Sequence, residues 1–430
     1  MIVNENPLIA NSLWTHTSTD QFIDDSSSTM RSFDVLIIGG GFSGCSTAYH
    51  CAEKGFSVCL IEKETVGWGA SGRNGGQVNP GLKELPEAII SYFGERKGKK
   101  IIKLSGGAPD YVFELIKQNR IECDSVQAGW IQASVGKKGL ATDTEFYRQW
   151  SNFDAPVQLL SNSEISSLLG SSYYSGGFLD RRGGKLHPLK FVKGLAKAAQ
   201  SKGVQFFQNT EVLGIKRGRD GFVISCSTGD FFSEKVLLAT NGYGNSANGT
   251  LNRNILPVQS IQLATSPLSD NLLKTIIPKG HVISDTRRLL KYFRIADNGR
   301  LLMGGRGGTS NRTITQQFQE LQLHVETMFP ALSEVNFDYA WGGNIALTHD
   351  HFPHISELEN GIVSLSGFNG RGIAMATVLG RVVSDFFRGV PSEDLDYPIR
   401  KLKPLTLPTL QKKILPLAIL YKKFADHWDI

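Results

Sequence analysis

Gly39, Gly41 and Gly44 are spaced as G-x-G-x-x-G between an apolar run and an amphipathic one. The first glycine of such a set allows a tight turn, the second lets a phosphate approach the backbone, and the third lets helix and strand pack closely. Phe42 and Ser43 lie inside the turn, and the N–H groups of a helix starting there would face the phosphate charge. Glu62 stands 18 residues after Gly44, at the end of the next apolar run and just before Lys63. A carboxylate at that place can accept hydrogen bonds from ribose hydroxyls. A second glycine set, Gly367-x-x-Gly370-x-Gly372, includes Arg371 and is followed by Ile373. A third, "GWGASGRNGGQVNPG" at 67–81, holds six glycines, one arginine and no acidic residue. Three separated glycine-rich segments touching one nucleotide require a large one, such as FAD. A pyridine-nucleotide reductase would show a second G-x-G-x-x-G or a CxxC, and neither is present.

The elements needed to position these residues are legible. Val35–Ile38 is continuously apolar and β-branched, as a strand covered on both faces should be. A helix then runs to Lys54 with Gly55 as its stop, and Val58–Ile61 forms the next strand. Residues 85–120 and 138–170 read as mostly helical, with a capping box in "SNSE" at 161–164. Pro188 opens a further helix, with a strand from Val204. "KVLLATNGYG" is another buried strand ending in a glycine turn, and from about 256 to 345 alternating strands predict an antiparallel sheet. The last glycine set again stands between a strand and a long helix. Residues 1–32 read as an extended lead-in.

The length of 430 residues exceeds one ordinary core, so two domains are expected. Of the net charge of +6, the stretch from Lys401 onward supplies +4, from six lysines and two aspartates. The rest is near neutral, which argues against nucleic acid as a partner. Five scattered cysteines without metal or disulfide spacing, and no apolar run near ~20 residues, point to a reduced cytoplasmic protein without a membrane span. The tail at 401–430 mixes lysine pairs with an apolar run, as a docked helix or a peripheral membrane contact would.

Tyr292 and Arg294 are two apart on a strand and share a face. They are the candidate substrate wall, Arg294 pairing a carboxylate and Tyr292 lying over the substrate chain; an exposed arginine beside a half-buried tyrosine is the alternative. His349, His351 and His354 have strand spacing for a metal, but no other ligand pattern surrounds them, and no metal is expected. His187 either faces the site or caps the helix at Pro188.

"DVLIIGGGFSG", "IEKETVGWGASGRNGGQ", "GGKLHP", "ATNGY" and "SGFNGRGIAMATVLGR" together resemble the D-amino-acid-oxidase-type FAD-dependent oxidoreductases, from about residue 10 to the end. "GASGRNGGQ", "RLLKYFRI" and "WGGNIALT" are most similar to the gamma-glutamylputrescine oxidoreductase-like amine oxidases within that superfamily. The resemblance implies an α/β fold with a discontinuous Rossmann-like FAD-binding domain (1–95, 185–255 and 345–400) and an antiparallel-sheet α+β substrate domain (96–184 and 256–344). It implies that Ser71, Arg73, Asn74, Gly75, Gly76 and Gln77 border the flavin, with Arg73 near negative charge, and that the Val212 backbone contacts adenine. Arg73-Asn74 stand where some relatives carry a flavin-linking histidine, and no cysteine follows Cys226, so noncovalent FAD is expected. The implied reaction is oxidation of an amine C–N bond, with dioxygen as acceptor. The alternatives are an amino- or imino-acid oxidase or dehydrogenase, in which Arg294 would be essential, and a flavin-binding assembly subunit without turnover.

Overall fold

The computed structural model describes residues 12–244, 255–306 and 314–401. Strand Ser32–Ile38 lies between Val58–Ile61 and Gly229–Leu238, parallel to both. Gln205–Phe207 and Ile362–Ser366 extend this parallel core on either side. With His354–Glu359, Ile399–Lys401 and a hairpin of Val212–Arg217 and Phe222–Cys226, the sheet has nine strands. Val35 and Ile37 point into one apolar cluster, Leu36 and Ile38 into another, so the predicted two-sided burial is present.

Helices Phe42–Glu53, Pro188–Gln200 and Gly372–Phe387 cover one face of this sheet, and two of them are led by the glycine sets. These two cross closely. A Cβ on Gly380 would fall 2.6 Å from Ser46 Oγ, and that hydroxyl donates to Thr377 O at 2.6 Å. Helices Glu95–Gly106 and Ala108–Gln118 pack Ile101, Ile102, Val112 and Leu115 into the same apolar cluster as Gly372–Phe387.

The second sheet has eight strands, ordered Phe337–Leu347, Leu256–Thr265, Leu301–Arg306, Tyr292–Ile295, Val282–Asp285, Trp130–Ser134, Gly176–Asp180 and Val157–Leu160. It is antiparallel, as predicted, except where Val282–Asp285 meets Trp130–Ser134, two strands brought together from distant parts of the chain. Helix Ile314–Met328 covers its outer face through Leu321, Val325 and Met328. The predicted capping box is present: Ser161 Oγ accepts from Glu164 N, the Glu164 carboxylate accepts from Ser161 N, and Gly170 ends the helix with φ 68°.

The lead-in does more than expected. Leu13–Thr17 is a short helix whose Leu13 and Trp14 are fully buried, so this segment is part of the core. No helix among the described residues is long and apolar enough to cross a membrane. The expected tail helix or membrane contact falls at 402–430, outside the described residues.

Asp143, on helix Gly136–Ser151, is fully buried, and its carboxyl accepts from Ser134 Oγ at 2.5 Å with no cation beside it. Burial holds its pKa well above the ordinary carboxyl range. The folded state therefore keeps a proton that the unfolded chain releases, and stability is lost as pH rises above the unfolded pKa. Asp143→Asn cannot ionise, so its denaturant midpoint should gain on the parent's steadily from pH 4 to pH 8, roughly the range over which an ordinary carboxyl is ionised. Parallel pH curves would show that Asp143 is not protonated in the fold.

Candidate functional site

The first glycine turn has the geometry its spacing predicts. Gly39 has φ 115°, and a Cβ on Gly44 would lie 1.9 Å from Gly39 O, so strand and helix touch backbone to backbone. Helix Phe42–Glu53 starts from Gly41 with no side-chain cap. Glu62 reaches the turn, Oε2 accepting from Gly40 N at 2.6 Å and Oε1 from Glu64 N at 3.0 Å, and burial raises its pKa. Lys63 pairs with Glu211 at 2.7 Å, and Thr210 N donates to Glu62 O at 3.0 Å. Val212, which opens its strand, is thereby held beside the Glu62 end of the turn.

The segment 67–81 is docked on this turn. Gly67 N donates to Gly40 O at 3.0 Å, and Ser71 Oγ accepts from Phe42 N at 2.9 Å. Asn74 ties the segment to itself, Nδ2 donating to Ala70 O and Ser71 O and Oδ1 accepting from Gly76 N. Residues 71 and 73–77 are expected to border the flavin. At several glycines of the segment the space a side chain would take is filled by protein: a Cβ would fall 2.5 Å from Val192 at Gly67, 2.2 Å from Gly67 O at Gly72, and 2.2 Å from Leu186 O at Gly76.

The same segment is sewn to the second sheet. Arg73 O accepts from Trp341 Nε1 at 2.9 Å and Gln262 Nε2 at 2.5 Å, and Gln77 Nε2 donates to Ile283 O and Phe293 O. From the N-terminal helix, Trp14 Nε1 donates to Asn74 O at 2.8 Å. Arg73 itself is 1% exposed; its Nε donates to Trp68 O, and its guanidinium lies 4.2 Å from the Trp68 ring and 5.8 Å from Tyr243. Trp14, Tyr243, Gln262 and Trp341 were not singled out from the sequence. Tyr243 and Trp341 carried a signal, as the last residue of "ATNGY" and the first of "WGGNIALT".

Tyr292 and Arg294 both face this segment. The Arg294 side chain is buried: Nε donates to Gly75 O at 2.7 Å, Nη2 to Leu186 O at 2.9 Å and Nη1 to Ile295 O at 3.4 Å. Its fork thus ties backbone segments together by donating to three carbonyls. Burial pushes its pKa down to about 10, which still leaves it charged at neutral pH. The Tyr292 ring lies over Gly304 and against Gly75, its hydroxyl 2.7 Å from Ser260 Oγ, and burial pushes the phenol up to about 12. Gln262 Oε1, also next to Gly75, is buried with no hydrogen-bond partner among the described residues.

The second glycine set joins the first through the paired helices. Gly367 N donates to Asn241 Oδ1 at 3.0 Å, and helix Gly372–Phe387, with Ile373 in its first turn, starts at Arg371 without a side-chain cap. Nothing within 4 Å would meet a Cβ on Gly370. Arg371 donates to Pro80 O and lies 4.7 Å from the Trp130 ring. His187 caps its helix, Nδ1 accepting from Lys190 N at 3.2 Å; burial pushes its pKa down to about 3, so Nε2–H is the donor to Thr17 Oγ1 at 2.9 Å. His351 pairs with Glu84 and His354 with Asp350, on separate partners.

Two helix N-termini at bare glycine turns, neither capped by the side chain of its own N-cap residue, with Glu62 beside one of them, fit the diphosphate and ribose of a dinucleotide. They define the chain as a dinucleotide-binding protein. The chain matches the family model described as "FAD dependent oxidoreductase" (DAO) over residues 34–386, and it belongs to that family. It is thus an enzyme acting on amine or amino-acid C–N bonds, with FAD as its cofactor. It is 34% identical over 362 residues to a probable oxidoreductase OrdL of Haemophilus influenzae, covering 83% of each chain. It is 30% identical over 358 residues to the gamma-glutamylputrescine oxidoreductase of Escherichia coli, covering 83% of this chain and 84% of that one. Among solved structures it is similar to glycine oxidase from Geobacillus kaustophilus, with a TM-score of 0.73 at 20% identity over 84% of this chain and 95% of that one.

Proposed function

We propose that this protein oxidises the C–N bond of a primary amine of the gamma-glutamylputrescine type. One observation carries the choice between an amine and an amino acid: apart from Arg294, which is bound to backbone carbonyls, the side chains beside Gly75 are uncharged. Tyr292, Ser260 and Gln262 face that point, while Arg294 is turned into backbone carbonyls. An amino acid would bring its carboxylate close to the reacting carbon and need a cation there, whereas a neutral amine needs only neutral hydrogen-bonding groups. The likeness to gamma-glutamylputrescine oxidoreductase supports the same reading.

In this reading the first sheet and its helices hold FAD, and the second sheet supplies the substrate wall. Ser71, Gly41, Phe42, Ser43 and the start of the Gly372 helix would hold the diphosphate, Glu62 and Val212 the adenosine side, and Arg73 to Gln77 the flavin side. When bound, FAD supplies the two-electron acceptor for the C–H bond beside nitrogen. The chain's residues orient the amine and exclude water: Tyr292 closes one side, and Gln262 Oε1 offers an acceptor for an amine N–H. Overall, amine, dioxygen and water would give an aldehyde, ammonia and hydrogen peroxide. All five cysteines are buried, with thiols pushed up by burial, so none is a ready nucleophile.

Anaerobic mixing with a substrate panel tests this. Gamma-glutamylputrescine should bleach the flavin faster than putrescine, and much faster than D-alanine, sarcosine or pipecolate. Fastest reduction by one of the last three would replace the amine reading with the amino- or imino-acid one.

A further inference from the structure

Arg306 ends the strand Leu301–Arg306, directly opposite Ser260. Within that strand Gly304 faces the 67–81 segment, since a Cβ there would fall 2.1 Å from the Tyr292 ring. Gly305 faces the other way, against Leu321. Side chains alternate along a strand, so Arg306 shares the face of Gly304, Tyr292, Ser260 and Gln262. It is half-buried and has no hydrogen-bond or ion-pair partner among the described residues; burial lowers its pKa and no carboxylate offsets this.

A partly desolvated cation without any partner is costly, and the other inward-facing arginines have partners. Arg73 stacks on Trp68, Arg294 and Arg371 donate to carbonyls, and Arg287 pairs with Asp285. Among the described residues Arg306 alone of these five has no partner for its guanidinium, and it stands on the face that carries Tyr292, Ser260 and Gln262. Such a fork suits a carboxylate, which it can hold through two parallel hydrogen bonds. It stands two residues beyond Gly304, about 7 Å along the strand, on the side away from Leu301.

We infer that Arg306 binds the carboxylate of the substrate and selects amines whose anionic group lies several bonds from the nitrogen. This rests on the amine reading above, with the nitrogen at the Gly75 end of the wall. It gives the chain the remote anion anchor that Arg294 does not provide.

The test compares FAD-loaded parent protein with Arg306→Ala and Arg306→Lys in two measurements. Calorimetric titration with glutarate, a probe carrying carboxylates but no amine, should show binding to the parent. Arg306→Ala should weaken it about ten- to a hundredfold and Arg306→Lys by less. The ratio of kcat/KM for gamma-glutamylputrescine to that for putrescine should fall by a similar factor in Arg306→Ala, mainly through KM. A parent that does not bind glutarate, or binding that survives Arg306→Ala, overturns the assignment whatever the substrate proves to be. A parent that prefers sarcosine or D-alanine sinks the amine reading, and the glutarate titration still judges Arg306 by itself.

Discussion

Gly41→Val is expected to give folded protein that carries no FAD. The backbone at Gly41 has φ −89° and ψ −173°, an extended conformation open to any residue, so valine strains nothing in the turn. What valine changes is the space in front of the helix. A Cβ at this position would lie 2.8 Å from Ser71 Oγ, the hydroxyl that accepts from Phe42 N. Alanine would displace that hydroxyl; the two branches of valine would also cover the N–H groups at the helix start, where the diphosphate would bind. FAD affinity should fall at least about a hundredfold, or about 2.8 kcal/mol. Far-UV circular dichroism should stay that of the parent while the flavin absorbance of the purified protein disappears. Gly44 offers no such test, because a Cβ 1.9 Å from Gly39 O would disrupt the strand–helix contact itself. A folded Gly41→Val that remains yellow would mean that this turn does not hold the cofactor.

The features legible in the sequence are those built from neighbours in the chain. The strand, glycine turn and helix at Ser32–Glu53, the capping box at Ser161 and the His187 cap each close within a few residues, so spacing alone reveals them. The clamp on residues 67–81 was not legible because its parts are far apart. Trp14, Gln262 and Trp341 converge on the carbonyls of Arg73 and Asn74 from three separate elements. No periodicity announces which carbonyl a buried tryptophan will find. The period of two correctly put Tyr292 and Arg294 on one face. It did not tell that Gly75 and Gly76 would press on that face in succession, the first on Tyr292 and the second on Arg294. Arg306 was missed for a related reason. Its face follows from the register of Leu301–Arg306 against Leu256–Thr265, which is set by the sheet and not by local composition.

Removing the Arg294 guanidinium is expected to lower stability far more than it alters substrate choice. Its fork joins Gly75 and Leu186, and Leu186 N donates in turn to Gly76 O at 2.9 Å, so one side chain holds two backbone segments beside the substrate wall. Arg294→Ala removes a donor from the buried Leu186 carbonyl and from the partly buried Gly75 carbonyl, each costing up to about 1–3 kcal/mol. Part of that is offset because a buried charge is also removed. A net loss of about 2–4 kcal/mol is expected in denaturant unfolding, with faster release of FAD on dilution. Arg294→Lys should recover little, because one ammonium on a flexible stem cannot span both carbonyls as a planar fork does. In the fraction that keeps FAD, the ratio of kcat/KM for gamma-glutamylputrescine to that for putrescine should stay near the parent's, since the anion anchor is elsewhere. A collapse of that ratio with stability intact would return the carboxylate to Arg294. The two arginines thus make opposite predictions: Arg294 moves the unfolding midpoint, and Arg306 moves the preference between an amine with a carboxylate and one without.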